Sequence, residues 1–161
     1  MRVLRHLAAI VLLPGTVTVL VPVLLLSGAD LAPWPLAVLG AALIAAGLGL
    51  IAWTVGLFAG VGQGTLAPWD PTARLVVRGP YRHVRNPMIS GVLAVLLGEA
   101  ALLRSLALLA WWACVFVINA VYFVHVEEPG LRRRFGADYE AYAARVPRWL
   151  PRWAGQDQDS K

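Results

Sequence analysis

The chain has 161 residues, of which 59% are hydrophobic and 14% charged, with a formal net charge of +5 and a mean hydropathy of +0.68. A soluble domain carries about 45–50% apolar and about 25% charged residues, so the composition excludes an ordinary soluble domain. It also excludes a disordered chain, which needs low hydrophobicity and high charge. With Cys114 as the single cysteine, neither a disulfide framework nor a cysteine-cluster metal centre can form.

The apolar residues are arranged as spans. Residues 7–29 and 31–69 hold no charged side chain, and between Ser105 and Val126 the one titratable group besides Cys114 and Tyr122 is His125. A spanning helix needs about 20 mostly apolar residues. The pattern predicts an all-α, polytopic membrane protein with four transmembrane helices, near 7–27, 33–60, 87–103 and 105–126, followed by a short cytoplasmic C-terminal helix. Residues 1–161 read as a single membrane domain. Within it, 1–62 supply two N-terminal spans, 63–153 supply two further spans with cytoplasmic segments, and 154–161 form a polar tail expected to be disordered.

The first span begins after Arg2 and Arg5 and ends at Ser27-Gly28-Ala29, which has the look of a cleavable signal. Its apolar run exceeds the usual ~7–15 residues of a signal peptide, so a retained helix is expected. Pro14 and Pro22 predict kinks that neighbouring helices can accommodate. In the second span Gly56 and Gly60 form a small-xxx-small pair suited to close helix packing. Gly60-Val61-Gly62-Gln63-Gly64 lacks the spacing and preceding strand of a dinucleotide loop.

Every Lys and Arg except Arg104 falls before the first span, between the second and third, or after the fourth. By the positive-inside rule both termini and the 61–86 loop are cytoplasmic, which suits an inner, cytoplasmic membrane. This distribution accounts for the positive charge by membrane topology and contact with anionic lipid. No nucleic-acid module is visible. With almost no loop around Arg104-Ser105, the third and fourth spans must form a hairpin. That hairpin brings residues 79–90 and 122–135 to one membrane face, where the polar chemistry is concentrated.

In the first of these segments, Gly79-Pro80 marks a turn and Asn86-Pro87 a helix start, with Asn86 as N-cap and Pro87 in the first turn. Arg82, Arg85 and the free N–H groups of Met88 and Ile89 make a corner suited to an anion. In the second, Glu127-Glu128-Pro129 place two carboxylates where a helix C-terminus favours cations. Such a pair suits a cationic ligand, Arg82 and Arg85, or ribose hydroxyls. His125 lies within a turn of it. His83, His125 and Glu127 are too sparse a set for a metal centre. Glu99 lies in the third span, at a cost of about 2.5–3.5 kcal/mol on insertion scales, and Arg104 is its expected partner. Tyr139, Tyr142 and Trp149 are expected as interfacial anchors, and Val146–Pro151 as an extended, membrane-hugging piece.

Taken in order, Gly79-Pro80-Tyr81-Arg82-x-x-Arg85-Asn86-Pro87-Met88, Glu127-Glu128-Pro129-x-Leu131, Phe135-Gly136-x-x-Tyr139-x-x-Tyr142 and the Arg148–Pro151 ending form a pattern. With Thr65–Pro71, it resembles the integral-membrane isoprenylcysteine carboxyl methyltransferase / phospholipid methyltransferase family over about residues 62–151. The resemblance implies S-adenosylmethionine as methyl donor, bound at the cytoplasmic face, and a lipophilic or small-molecule acceptor reaching it from the membrane lipid. It maps the family's cofactor pocket onto Arg85-Asn86-Pro87, Glu127 and Glu128. The wider set expected at the cofactor is Tyr81, Arg82, His83, Met88 and Tyr139, with Glu127, Glu128 and His125 available to take a proton. Two positions depart from the pattern: Asn86 stands where the family commonly has His, and Ile89 where it commonly has Tyr. These departures keep two other readings open, a non-enzymatic scaffold or transporter subunit of the same fold and an NADPH-dependent membrane reductase.

Overall fold

The computed structural model describes residues 11–26, 30–62 and 74–151, and among them every regular element is helical. Arg2, Arg5, Arg152, Lys161, the 27–29 ending, the Thr65–Pro71 motif and the 154–161 tail lie outside the described residues. A widely wound π-helical stretch, Val11–Leu20, leads into α1 (Val21–Leu25). α2 (Trp34–Leu57) ends in a π turn, Phe58–Gly62. A 3-10 turn, Gly79–Arg82, precedes α3 (Pro87–Leu102). α4 (Leu106–Tyr122) runs through a π turn, Phe123–Glu127, into α5 (Glu128–Arg145).

Two of these helices are long and apolar enough to cross a membrane, Trp34–Gly60 and Leu106–Arg145. The other two expected spans are apolar but shorter, Pro14–Leu25 and Pro87–Leu102. At 1.5 Å per residue, the 16 residues of α3 extend about 24 Å, less than a hydrocarbon core of about 30 Å. The outer faces are apolar, with Leu24, Trp34 and Leu106 each more than 70% exposed. An aqueous surface would not tolerate so continuous an apolar skin, and lipid does.

Pro22 shapes the first element by the donor it lacks. In the five-residue register of the π stretch, the N–H at position 22 would reach the carbonyl of Val17, and proline has none. The winding tightens there, and the indole Nε1 of Trp111 on α4 donates to the Val17 carbonyl at 3.0 Å.

The α2–α3 contact is made of backbone. The two helices are antiparallel, with Gly40 facing Gly98 and Gly47 facing Gly91. A Cβ on Gly47 would stand 2.6 Å from the Gly91 carbonyl oxygen, and one on Gly98 would stand 2.6 Å from that of Gly40. Gly56 and Gly60 touch nothing in this way, having open space where a Cβ would go. The expected pair at spacing four is therefore idle, and two pairs at spacing seven carry the contact. Seven residues return a helix to nearly the same face two turns on.

α3 and α4 form the expected hairpin. Arg104 takes a left-handed conformation (φ 46°), and Ser105 caps α4 by accepting from the Leu108 N–H at 3.3 Å. Ile51, Val92, Leu93, Val95, Leu96 and Val115 fill the space between the helices. Glu99 Oε2 is buried here with no hydrogen-bond partner, so Arg104 does not supply the bond expected of it.

The helix of the fourth expected span does not end at the glutamates. Leu106–Arg145 is one run of helix, broken in backbone geometry only at Gly136 (φ 51°, ψ −128°). The short C-terminal helix is thus the continuation of α4, and Glu127 and Glu128 sit mid-helix rather than against a C-terminal dipole. Pro129 has no N–H for the carbonyl four residues back, and the π turn directly before it absorbs that mismatch.

Replacing Gly47 or Gly98 by Ala forces backbone apart and should cost at least about 1–3 kcal/mol. Gly56→Ala and Gly60→Ala should be neutral or slightly stabilising, because Ala is the better helix former. Thermal melting of the four variants in detergent reads the contrast directly.

Candidate functional site

The end of α2, the start of α3 and the end of α4 meet the 3-10 turn and the chain after α5 at one end of the bundle. Tyr81 is buried, stacked on Phe58 with ring centroids 5.5 Å apart. Its carbonyl accepts from the Tyr142 hydroxyl at 2.8 Å. The Arg85 N–H donates to the Pro147 carbonyl at 2.8 Å, pinning the extended C-terminal segment against the start of α3. Asn86 is buried at the N-cap position, but its side chain makes no capping bond. Its carbonyl does the work instead, accepting from the Ser90 N–H and the Ser90 hydroxyl, each at 3.1 Å.

Glu128 is the centre of this region. Its side chain is 2% exposed. Oε1 accepts from Arg85 Nη1 at 2.8 Å and from Arg148 Nε at 2.6 Å, and Oε2 accepts from Arg148 Nη2 at 3.1 Å. Arg132 stands one helical turn along, 3.8 Å from Oε2. Desolvation would raise the carboxyl, but the Arg148 hydrogen bond and the charges of Arg85, Arg148 and Arg132 outweigh it and hold the group below the usual carboxylate range.

Glu127 differs from its neighbour in every respect. It is exposed. Desolvation by the surrounding chain and then the charge of Glu128 push its carboxyl up to about 7. Because the side chain reaches the surface, solvent weakens both causes, and the upward direction of the shift is what remains. The site therefore holds one carboxylate locked in its ionised form and one able to change protonation near neutrality.

Tyr139 is fully buried. Its hydroxyl and the Arg85 Nε are both shielded from solvent without a hydrogen-bond partner. Burial raises the Tyr139 phenol while the Arg85 guanidinium beside it pulls the other way, the two groups being close but outside hydrogen-bond geometry. The phenol remains protonated, so its hydroxyl and the Arg85 Nε–H both lack an acceptor in hydrogen-bond geometry. A buried donor without an acceptor costs about 1–3 kcal/mol, so the pair marks a place for an acceptor, either an anion or an ordered water.

The expected residues thus divide. Arg85, Asn86, Pro87, Glu128, Tyr81 and Tyr139 come together in the buried cluster, and Met88 is half-buried at the start of α3. Arg82, His83 and His125 are exposed and join none of the hydrogen bonds of that cluster. Arg85 has Tyr139 beside it, whereas Arg82, its expected companion in an anion corner, stays exposed. Tyr139 and Tyr142 are buried rather than interfacial, while Trp149 lies against Phe116 and Phe123, at 5.6 and 6.1 Å. Arg148 is a participant that sequence reasoning left without a role, and Tyr142 one that it placed at the membrane interface. The sequence signal was their place in the ordered C-terminal pattern.

These features define a helical membrane protein with a charged, tyrosine-lined cluster at one end of its bundle. A family model described as phospholipid methyltransferase matches residues 36–138, more than half of the chain, and the chain belongs to that family. The family is one of methyltransferases, in keeping with the resemblance drawn from the motifs. No curated protein and no solved structure matches the chain.

Removing the Glu128 charge leaves Arg85 facing an uncompensated site, and breaking a buried pair in this way costs about 3–5 kcal/mol. Arg148 is 42% exposed and contributes the smaller part, because solvent screens it. Glu128→Gln should therefore melt well below the wild type at neutral pH. The sign with pH follows from the lowered value: the stabilisation is complete above the ordinary carboxylate range and is lost as pH falls through the depressed one. The gap between wild type and Glu128→Gln should close on acidification below about pH 4. A constant gap from pH 7 to pH 3 would contradict the assignment.

Proposed function

We propose that the protein is an integral-membrane methyltransferase using S-adenosylmethionine, with four membrane-inserted helical segments and both termini cytoplasmic. The acceptor is a lipophilic or small molecule reaching the cytoplasmic end of the bundle from the lipid. The observation that carries this reading is a pair of unsatisfied buried donors, Arg85 Nε and the Tyr139 hydroxyl, in a family-matched chain. Topology is argued from the basic residues, since Arg82, Arg85, Arg132 and Arg148 stand at the end of the bundle opposite Arg104.

The residues present fit the donor's chemistry. S-adenosylmethionine offers a carboxylate, an ammonium, a sulfonium and ribose hydroxyls. Arg85 Nε and the Tyr139 hydroxyl would hold the carboxylate, as charge-assisted donors do, and Glu127 would meet the hydroxyls or the cationic groups. When bound, the donor supplies an electrophilic methyl group. The chain's own contribution is positioning, because a displacement of this kind gains most from alignment of the reacting atoms. Glu128 holds Arg85 and does not itself meet the acceptor.

Between Ser105 and Val126 there is no Arg or Lys to clamp an acceptor carboxylate. An amine or thiol acceptor fits better. Such an acceptor must lose a proton, and Glu127, with its pKa near 7, is suited to receive it.

Isothermal titration of purified protein with S-adenosylmethionine should give saturable binding, and membranes incubated with methyl-labelled donor should yield a labelled amine or thiol. The kcat profile should rise through a limb near pH 7, which Glu127→Gln removes. Absence of both donor binding and labelled product would refute the reading and leave a scaffold of the same fold. Protection from heat by NADPH but not by S-adenosylmethionine would instead favour a reductase.

A further inference from the structure

Arg148 has no contact with the donor in the reading above, yet it decides how Arg85 is held. It lies in the extended stretch after α5, where three ties fix the chain. The Arg85 N–H reaches the Pro147 carbonyl, Trp149 packs on Phe116 and Phe123, and the Arg148 guanidinium grips Glu128. The grip is two-pointed, with Nε on one carboxylate oxygen and Nη2 on the other.

A carboxylate facing a single arginine takes a parallel fork of two N–H bonds. Glu128 faces two arginines, and Arg148 has taken the fork. Arg85 is left with one bond, from Nη1 to Oε1. Its Nε stays buried and unpaired beside the equally unpaired hydroxyl of Tyr139. The competition therefore has a product: an arginine charge anchored at one nitrogen and free at another.

We propose that Arg148 is a positioning residue which, by occupying both oxygens of Glu128, keeps an N–H of Arg85 in reserve for the carboxylate of the methyl donor. Without Arg148, Arg85 closes its own fork on Glu128 and the reserved donor is consumed. The proposal rests on the donor reading above and adds to it a residue outside the donor contact. Lysine at this position keeps the charge but cannot make the fork.

The experiment is equilibrium binding of two probes, S-adenosylmethionine and its decarboxylated analogue, to wild type, Arg148→Ala and Arg148→Lys, with melting temperature recorded for each protein. Arg145→Ala serves as control, being an exposed arginine that donates to the Ala141 carbonyl of its own helix. Loss of one charge-assisted contact corresponds to about a tenfold rise in Kd. Arg148→Ala and Arg148→Lys should each show a rise of about that size for S-adenosylmethionine, and Arg145→Ala should not. The decarboxylated probe should bind wild type and both Arg148 variants alike, which a general loss of structure cannot produce. Equal weakening of both probes, or of neither, overturns the role of Arg148 while leaving the donor reading in place. Failure of wild type to bind S-adenosylmethionine ends both. Should Arg148→Ala not fold, Arg148→Lys carries the comparison alone.

Discussion

One carboxylate joins three separate parts of the chain. Glu128 comes from the helix that continues α4, Arg85 from the turn leading into α3, and Arg148 from the extended segment that follows α5. Each would be free to move without the others, since a π turn, a 3-10 turn and an irregular strap flank them. A buried ion cluster of this kind is weak evidence for net stability, because desolvation offsets much of the attraction. Its value lies in direction. It fixes which helix face turns inward and where the C-terminal strap must lie, and the tyrosines then pack around that decision.

The bundle beneath serves this end by bringing backbones together. In lipid there is no hydrophobic drive to pair apolar helices, so they associate by close packing and polar contacts. The facing glycines of α2 and α3 supply the packing, and Trp111 on the Val17 carbonyl supplies a polar contact where proline has removed a backbone donor. The hairpin of α3 and α4 then sets the polar ends of both helices side by side. The site is thus a consequence of helix packing several turns away, carried upward by rigid elements.

The two adjacent glutamates show how chemistry separates identical side chains. Glu128 turns inward, meets guanidinium groups and stays ionised. Glu127 turns outward, and desolvation together with its neighbour's charge pushes its carboxyl up to about 7. A sequence reading gives both residues the same roles. Neither the dipole argument nor simple repulsion distinguishes them, because Pro129 marks the π turn but not which glutamate it turns inward.

The sequence alone determined the apolar segments, the hairpin at Arg104-Ser105, the meeting of Arg85 with Glu128 at one end, and the family pattern. Each of these depends on composition or on order along the chain, which local chemistry writes directly. Only the tertiary structure decided which glycines touch, that the last helix runs on past the glutamates, that Tyr139 and Tyr142 are buried, and that Arg148 claims the carboxylate. Those outcomes depend on helix phase and on competition between groups far apart in sequence. A residue's type states what it can bond to, but the geometry of its rivals settles which bond it makes.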